Sequence, residues 1–212
     1  MDAERRLTRR LQAMHALCGQ EMVVGGGLPE LQMHDNANAV AACAGDAQSS
    51  ALRLLWPLDG QCVLVYKTTA WDRQPSRVLV QVHGMHPWWA VARPEFALPS
   101  ETPPASMFVG VLYTEKTGRG RVGVFDCILY DGNSQIGHES ALQRHTLVAG
   151  LFHKSSASSG ICHHWAGDGS TCEKLLLAGT NDTLPFEALK TTPLPVDGSK
   201  WGQGWGSAWT VS

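Results

Sequence analysis

Charge is scarce in this sequence. Lysine, arginine, aspartate and glutamate make up 17% of its 212 residues, against about a quarter in an average soluble domain. The formal net charge of −2 excludes a broad polybasic surface for nucleic acid, though not a small local one. No apolar run approaches the ~18 residues of a membrane-spanning helix. The signatures G-x-x-x-x-G-K-[ST], G-x-G-x-x-G at a helix start, H-E-x-x-H and G-x-S-x-G are all missing. The start, MDAERRLTRRLQAMHAL, lacks the apolar stretch of a secretory signal. The six cysteines at 18, 43, 62, 127, 162 and 172 are therefore expected as reduced, mostly buried thiols. The expected location is the nucleus or cytoplasm; the arginine-rich start leaves a mitochondrion open, with Asp2 and Glu4 weighing against it.

What is present is a core and many turns. A hydrophobic content of 43% excludes wholesale disorder, and 22 glycines, 11 prolines and 8 tryptophans describe a turn-rich, aromatic chain. Residues 3–18 fit a helix, with Leu7, Leu11, Met14 and Leu17 on one face and Arg5, Arg6, Arg9 and Arg10 on the other. That cationic face is read as solvated while the apolar face docks; an RNA- or receptor-binding helix is the other reading. Gly25–Gly27 ends it, and residues 31–50 carry no decisive period.

From residue 51 the pattern is of strands. Ala51–Trp56 and Cys62–Tyr66 flank the turn Pro57–Gly60. Arg77–Val82 and Trp88–Arg93 read as a hairpin, with His83 and His86 exposed at its turn. Phe96–Leu98 reads as a short strand, and Met107–Tyr113 and Arg121–Tyr130 as two more joined by Thr114–Gly120. Asp131-Gly132-Asn133 is a further turn signal. His138–Phe152 predicts a helix with Leu142, His145, Val148 and Phe152 on one face. Beyond it, 153–172 reads as irregular and 173–178 as amphipathic. This is an α+β pattern of mainly antiparallel strands with flanking helices. The expected division is a lead-in over 1–50, a domain over 51–196 and a Trp/Gly-rich tail over 197–212. Cys162-His163-His164 and Cys172 offer four soft ligands, but adjacent ligands do not all converge on one ion, so a polar surface loop is expected there and no metal.

The order of the segments VLVYKTT (63–69), RVLVQV…WWAVAR…FALP (77–99), MFVGVLY (107–113), GVFDCILYDG (123–132), the helix around Leu142 and Arg144, and LPFEALKT (184–191) resembles the nucleotidyltransferase domain of mRNA capping guanylyltransferases and ATP-dependent ligases. It is most similar to a degenerate form such as the cap-binding domain of snurportin. The resemblance spans 56–191 and rests on order and spacing more than on any single motif. It implies mainly antiparallel β-sheets of the nucleotidyltransferase domain with flanking helices and no OB-fold domain.

In the active family a lysine in K-x-D-G attacks a nucleotide α-phosphate with the help of divalent metal, a glutamate in D-G-E binds ribose or metal, and two late lysines steady the phosphates. Here Lys67 stands in Lys67-Thr68-Thr69-Ala70 without the Asp-Gly pair, and Val109-Gly110-Val111 replaces D-G-E. About twenty residues follow position 191, too few for the late-lysine strand and an OB-fold lid. The resemblance therefore implies a pocket kept for a nucleotide or RNA 5′ cap without catalysis and without a cofactor. Lys67, Arg77 and Arg93 would meet phosphate or ribose, and Trp88, Trp201 and Trp205 would stack on the base. Two alternatives stand beside it. In one, Lys67 is a working nucleophile with Mg²⁺ and a partner chain supplies the missing lid. In the other, the fold is a structural pseudoenzyme subunit of a ribonucleoprotein, docking through the tryptophan tail. Asp126 is expected to secure a loop, and Phe125 to lie in the core.

Overall fold

The computed structural model describes residues 9, 13, 52–70, 78–82, 96–153, 159–177 and 184–194. Arg9 and Ala13 are helical and exposed; the rest of the expected first helix, the glycine run, His83, His86 and the second arm of the 77–93 hairpin lie outside the described residues. Among the described residues the strands are β1 (Arg53–Pro57), β2 (Gln61–Lys67), β3 (Val78–Val82), β4 (Ser106–Thr114), β5 (Gly120–Leu129), β6 (Ile161–His163), β7 (Ala166–Gly167) and β8 (Ala188–Pro193). Two α-helices join them, α1 (Ala141–Phe152) and α2 (Gly169–Leu177).

Five strands form one sheet in the order β3-β2-β4-β5-β6, and three form a second in the order β7-β1-β8. Every pair is antiparallel except β5–β6, which is parallel. Alternation along β2 and β4 sorts the core into two layers. Leu64 and Tyr66 of β2 and Met107, Val109, Val111 and Tyr113 of β4 share one cluster with Leu54, Leu55 and Trp56 of β1 and with Cys172 of α2. Val63, Val65 and Phe108 belong to the other cluster, with Val148 and Phe152 of α1, Phe96 and Ile161. The five-stranded sheet is thus sandwiched, with the small sheet and α2 on one face and α1 on the other. No helix among the described residues is long and apolar enough to cross a membrane.

Several expectations change in this frame. The Pro57–Gly60 turn exists, closed by Gly60 N–H donating to the Pro57 carbonyl at 3.0 Å, but it carries the chain from one sheet to the other, since β1 pairs with β7 and β8. Phe96–Leu98 is not a strand; Phe96 plugs the α1-side core, and the Ala97 carbonyl accepts from the Ser159 hydroxyl at 2.9 Å instead of from a ladder. Asp131 and Gly132 both take positive φ, 52° and 73°, in a tight turn whose ends, Tyr130 and Asn133, bond each other. The segment expected as irregular over 153–172 supplies β6, β7 and the start of α2.

Helix α1 begins at Ala141, not at 138, because Ser140 and Gln143 form a reciprocal capping box there; Ser134–His138 is a separate 3₁₀ turn. Its buried residues are Arg144, His145, Val148 and Phe152, while Leu142 is 64% exposed. At 100° per residue Leu142 sits about 110° from the centre of that stripe. An arginine drawn inward rotates the buried face away from it.

Candidate functional site

Of the residues that the resemblance assigns to a nucleotide site, Lys67 lies among the described residues, at the end of β2. Lys67 is the strand's last residue and pairs with Ser106 of β4 and Val78 of β3. Its ammonium donates to the Thr102 carbonyl, in the loop that leads into β4. Thr102 is buried, and its Oγ1 has no hydrogen-bond partner; an orphaned hydroxyl in a folded interior is costly enough to call for a partner. The loop is braced from below. The Ser106 hydroxyl donates to the Pro103 carbonyl at 2.9 Å and accepts from Asp131 N–H at 3.3 Å, and Gly132 N–H donates to the Ala105 carbonyl at 2.9 Å. Ala105 is held at φ 56°, a conformation that an alanine adopts only where the surroundings insist on it.

The D-G-E position lies elsewhere. Val109 pairs with Leu64 and Val111 with Cys62 across β2, whereas Lys67 pairs with Ser106. Positions 107, 109 and 111 face the small sheet, so 106 and its partner Lys67 fall on the opposite face. Both valines are completely buried, in the cluster that contains Trp56, Phe125 and Phe186. The Trp56 and Phe125 rings meet edge-on at 6.3 Å, and Tyr113 and Phe186 at 5.0 Å. The space between the sheets at this point is filled by the chain's own side chains.

The FDC element is structural, as expected, through a partner that sequence reasoning did not assign to it. Arg144 of α1 holds Asp126 with a two-point contact, Nε to Oδ1 at 2.8 Å and Nη2 to Oδ2 at 3.1 Å, and both side chains are fully buried. Asp126 Oδ1 also accepts from Cys127 N–H at 2.8 Å, and Arg144 Nη1 donates to the Glu139 carbonyl. The pair ties β5 to the start of α1. Phe125 lies in the core, 0% exposed.

Of the other predicted binding residues, Arg77, Trp88, Arg93, Trp201 and Trp205 lie outside the described residues, as do the tail and its expected boundary. The four potential metal ligands at 162–172 do not gather. The Cys162 thiol lies 3.8 Å from the Tyr113 hydroxyl, His164 donates from Nε2 to the Leu55 carbonyl at 2.8 Å, and Cys172 bonds to the Arg53 carbonyl at 3.5 Å. His163 instead meets His145 of α1, Nε2 to Nε2 at 3.1 Å. Among the described residues no group of three or more histidine, cysteine, aspartate or glutamate side chains is placed to hold a metal ion. The four described cysteines are free thiols; burial pushes the Cys172 thiol up to about 11 and raises that of Cys162, so neither supplies a thiolate at neutral pH.

The expected surface loop at 162–164 is instead the end of edge strand β6 and the residue after it, with Cys162 and His163 half-buried and His164 buried. Burial lowers His163 and His164 to about 4. The signal that was there to be read is alternation itself: in Ile161-Cys162-His163-His164, odd positions face α1 and even positions face the small sheet. No protein-family model matches this chain, and no curated protein matches it.

Proposed function

We propose that this chain is a non-catalytic nucleotide- or RNA 5′-cap-binding domain on a degenerate nucleotidyltransferase-like scaffold. The observation that carries the reading is the separation of Lys67 from position 111 on opposite faces of one sheet. Lysyl attack on a phosphate needs an amine lone pair, a neighbouring metal-binding carboxylate and charge-stabilising groups converging on one point. Here the lysine's N–H is engaged with a carbonyl, and the valine that replaces the carboxylate is sealed in an apolar interior. What Lys67 retains is suited to binding: a phosphate is a stronger acceptor than the Thr102 carbonyl for the same ammonium. Arg77 and Arg93 for phosphate and ribose, and Trp88, Trp201 and Trp205 for stacking, complete the proposed site on the strength of the motif order over 56–191. Neither a metal nor a cofactor enters.

Calorimetric titration of the whole chain with a methylated cap dinucleotide and with GTP tests this. Binding is expected, and Lys67→Ala should weaken it about tenfold, the loss of one charge-assisted hydrogen bond. No heat and no chemical-shift change with any nucleotide would discard the proposal. The apolar filling between the sheets favours a second reading, a structural subunit that has lost the ligand as well. That reading expects no nucleotide binding and a purified chain that self-associates or is incomplete without a protein partner, which light scattering after size exclusion reports.

A further inference from the structure

His145 lies on α1 and His163 on β6, 18 residues apart in sequence, and their Nε2 atoms are 3.1 Å apart. The Nδ1 atom of His145 is 3.0 Å from the Phe125 carbonyl. A carbonyl only accepts, so Nδ1 carries the proton and the Nε2 lone pair of His145 points outward to His163. A histidine whose far N–H is anchored to a backbone carbonyl, with the near nitrogen bare, is the arrangement that orients metal-ligating imidazoles. The rings are tilted by 48°, and their centroids are only 4.7 Å apart. Two imidazoles meeting end to end at this N···N distance would hold their centroids farther apart, so the two nitrogen axes meet at an angle. Two nitrogens about 2.0–2.1 Å from one ion, at a tetrahedral or right angle, are separated by roughly this distance.

We propose that His145 and His163 form a two-imidazole site for a borderline divalent transition metal, Zn²⁺ or Ni²⁺, with water completing the coordination. The site is distinct from the Lys67 corner and does not depend on what binds there. Without metal the two nitrogens share one N–H···N bond, donated by His163. Metal entry moves the His163 proton from Nε2 to Nδ1 through solvent, which reaches that half-buried ring; both rings stay neutral and no net proton is released. Because one ligand is on a helix and the other on the edge strand of the five-stranded sheet, a bound ion clamps α1 to β6. Two protein ligands imply weak, exchangeable binding.

The test is titration of the full chain with ZnCl₂ and separately with NiCl₂, under a non-thiol reductant, read by calorimetry and by thermal melting. One ion per chain and a rise in melting temperature are expected. His163→Gln should lower the affinity at least tenfold and abolish the thermal shift; its far-UV circular dichroism and metal-free melting report whether the fold is intact. His145→Gln, which keeps a polar side chain, should behave alike. In proton NMR, sub-stoichiometric Ni²⁺ should broaden the two imidazole resonances first. Undiminished binding in both variants would place the metal elsewhere in the chain and overturn the proposal, as would no binding by the unmodified chain.

Discussion

Breaking the Asp126–Arg144 contact should destabilise the fold more than any other single polar change in the described residues. The two side chains have no solvent exposure and meet at 2.8 and 3.1 Å. Desolvating two charges costs several kcal/mol, repaid only while each has the other, so removing one partner strands the second at a cost of about 3–5 kcal/mol. Asp126→Asn keeps the shape and an acceptor for Cys127 N–H but leaves the guanidinium uncompensated. Arg144→Met removes both guanidinium contacts from the carboxylate and takes the donor from the Glu139 carbonyl. Each should lower the melting temperature by roughly 6–20 °C, at the ~2–4 °C per kcal/mol of a domain this size.

The double variant Asp126→Leu/Arg144→Met separates charge from packing. Replacing both charges with apolar groups removes the stranded partner, so it should be more stable than Arg144→Met alone, giving a coupling of about 2 kcal/mol or more in a double-mutant cycle. Urea unfolding monitored by tryptophan fluorescence measures the unmodified chain, Asp126→Leu, Arg144→Met and the double variant, the four corners of that cycle. Losses below 1 kcal/mol in the single variants, or a double variant as unstable as the sum of the singles, would refute the burial argument.

The remaining predictions are shorter. A Cβ at Gly123 would lie 2.6 Å from His164 Nδ1 and 2.9 Å from its Cβ, so Gly123→Ala should cost about 1–3 kcal/mol by overpacking, measured by the same unfolding curves. His164 titrates near 6.5 when unfolded but about 4 when folded, because burial disfavours its charge. Its contribution is intact above pH 6.5 and is lost as pH falls toward 4, by about 3 kcal/mol in all, since each unit is about 1.4 kcal/mol; His164→Gln should flatten that slope, and an unchanged slope would contradict the assignment. Incubation with radiolabelled GTP and Mg²⁺ should leave no adduct on the chain; a label that disappears in Lys67→Ala would restore the enzymatic alternative.

Local chemistry made part of this fold legible. The polar turns at 57–60, 114–120 and 131–133 punctuate apolar runs, and those runs became β1, β2, β4 and β5 close to their expected limits. Of LPFEALKT only the second half entered a strand, since β8 runs Ala188–Pro193. What a linear reading misses is which strands pair. β1 and β2 are separated by a three-residue link and look like a hairpin, yet both edges of β1 are taken by strands more than a hundred residues later. Nor does composition reveal that an arginine is interior: Arg144 is buried because Asp126, one strand away, pays for its desolvation. The order of motifs pointed to Lys67 and to position 111 separately, while only the register, Lys67 opposite Ser106 and Val111 opposite Cys62, places them on different faces.

The short edge strand β6 shows how one alternation creates both the sealed interior and the exposed chemistry. Ile161 enters the α1-side core and His163 continues on that face to reach His145, while Cys162 meets Tyr113 and His164 reaches the Leu55 carbonyl on the other. His164 then fills the space over Gly123 and stacks on Phe186 with centroids 5.3 Å apart, helping to close the gap between the sheets. The parallel pairing with β5 fixes this division, since Val122, Gly123 and Val124 are opposite Ile161, Cys162 and His163. A one-residue slip would move Cys162 to His145 and drive His163 toward the small sheet. The same register that packs His164 as a core side chain therefore presents His163 as a ligand, and neither role is available to the tripeptide as the surface loop its composition suggests.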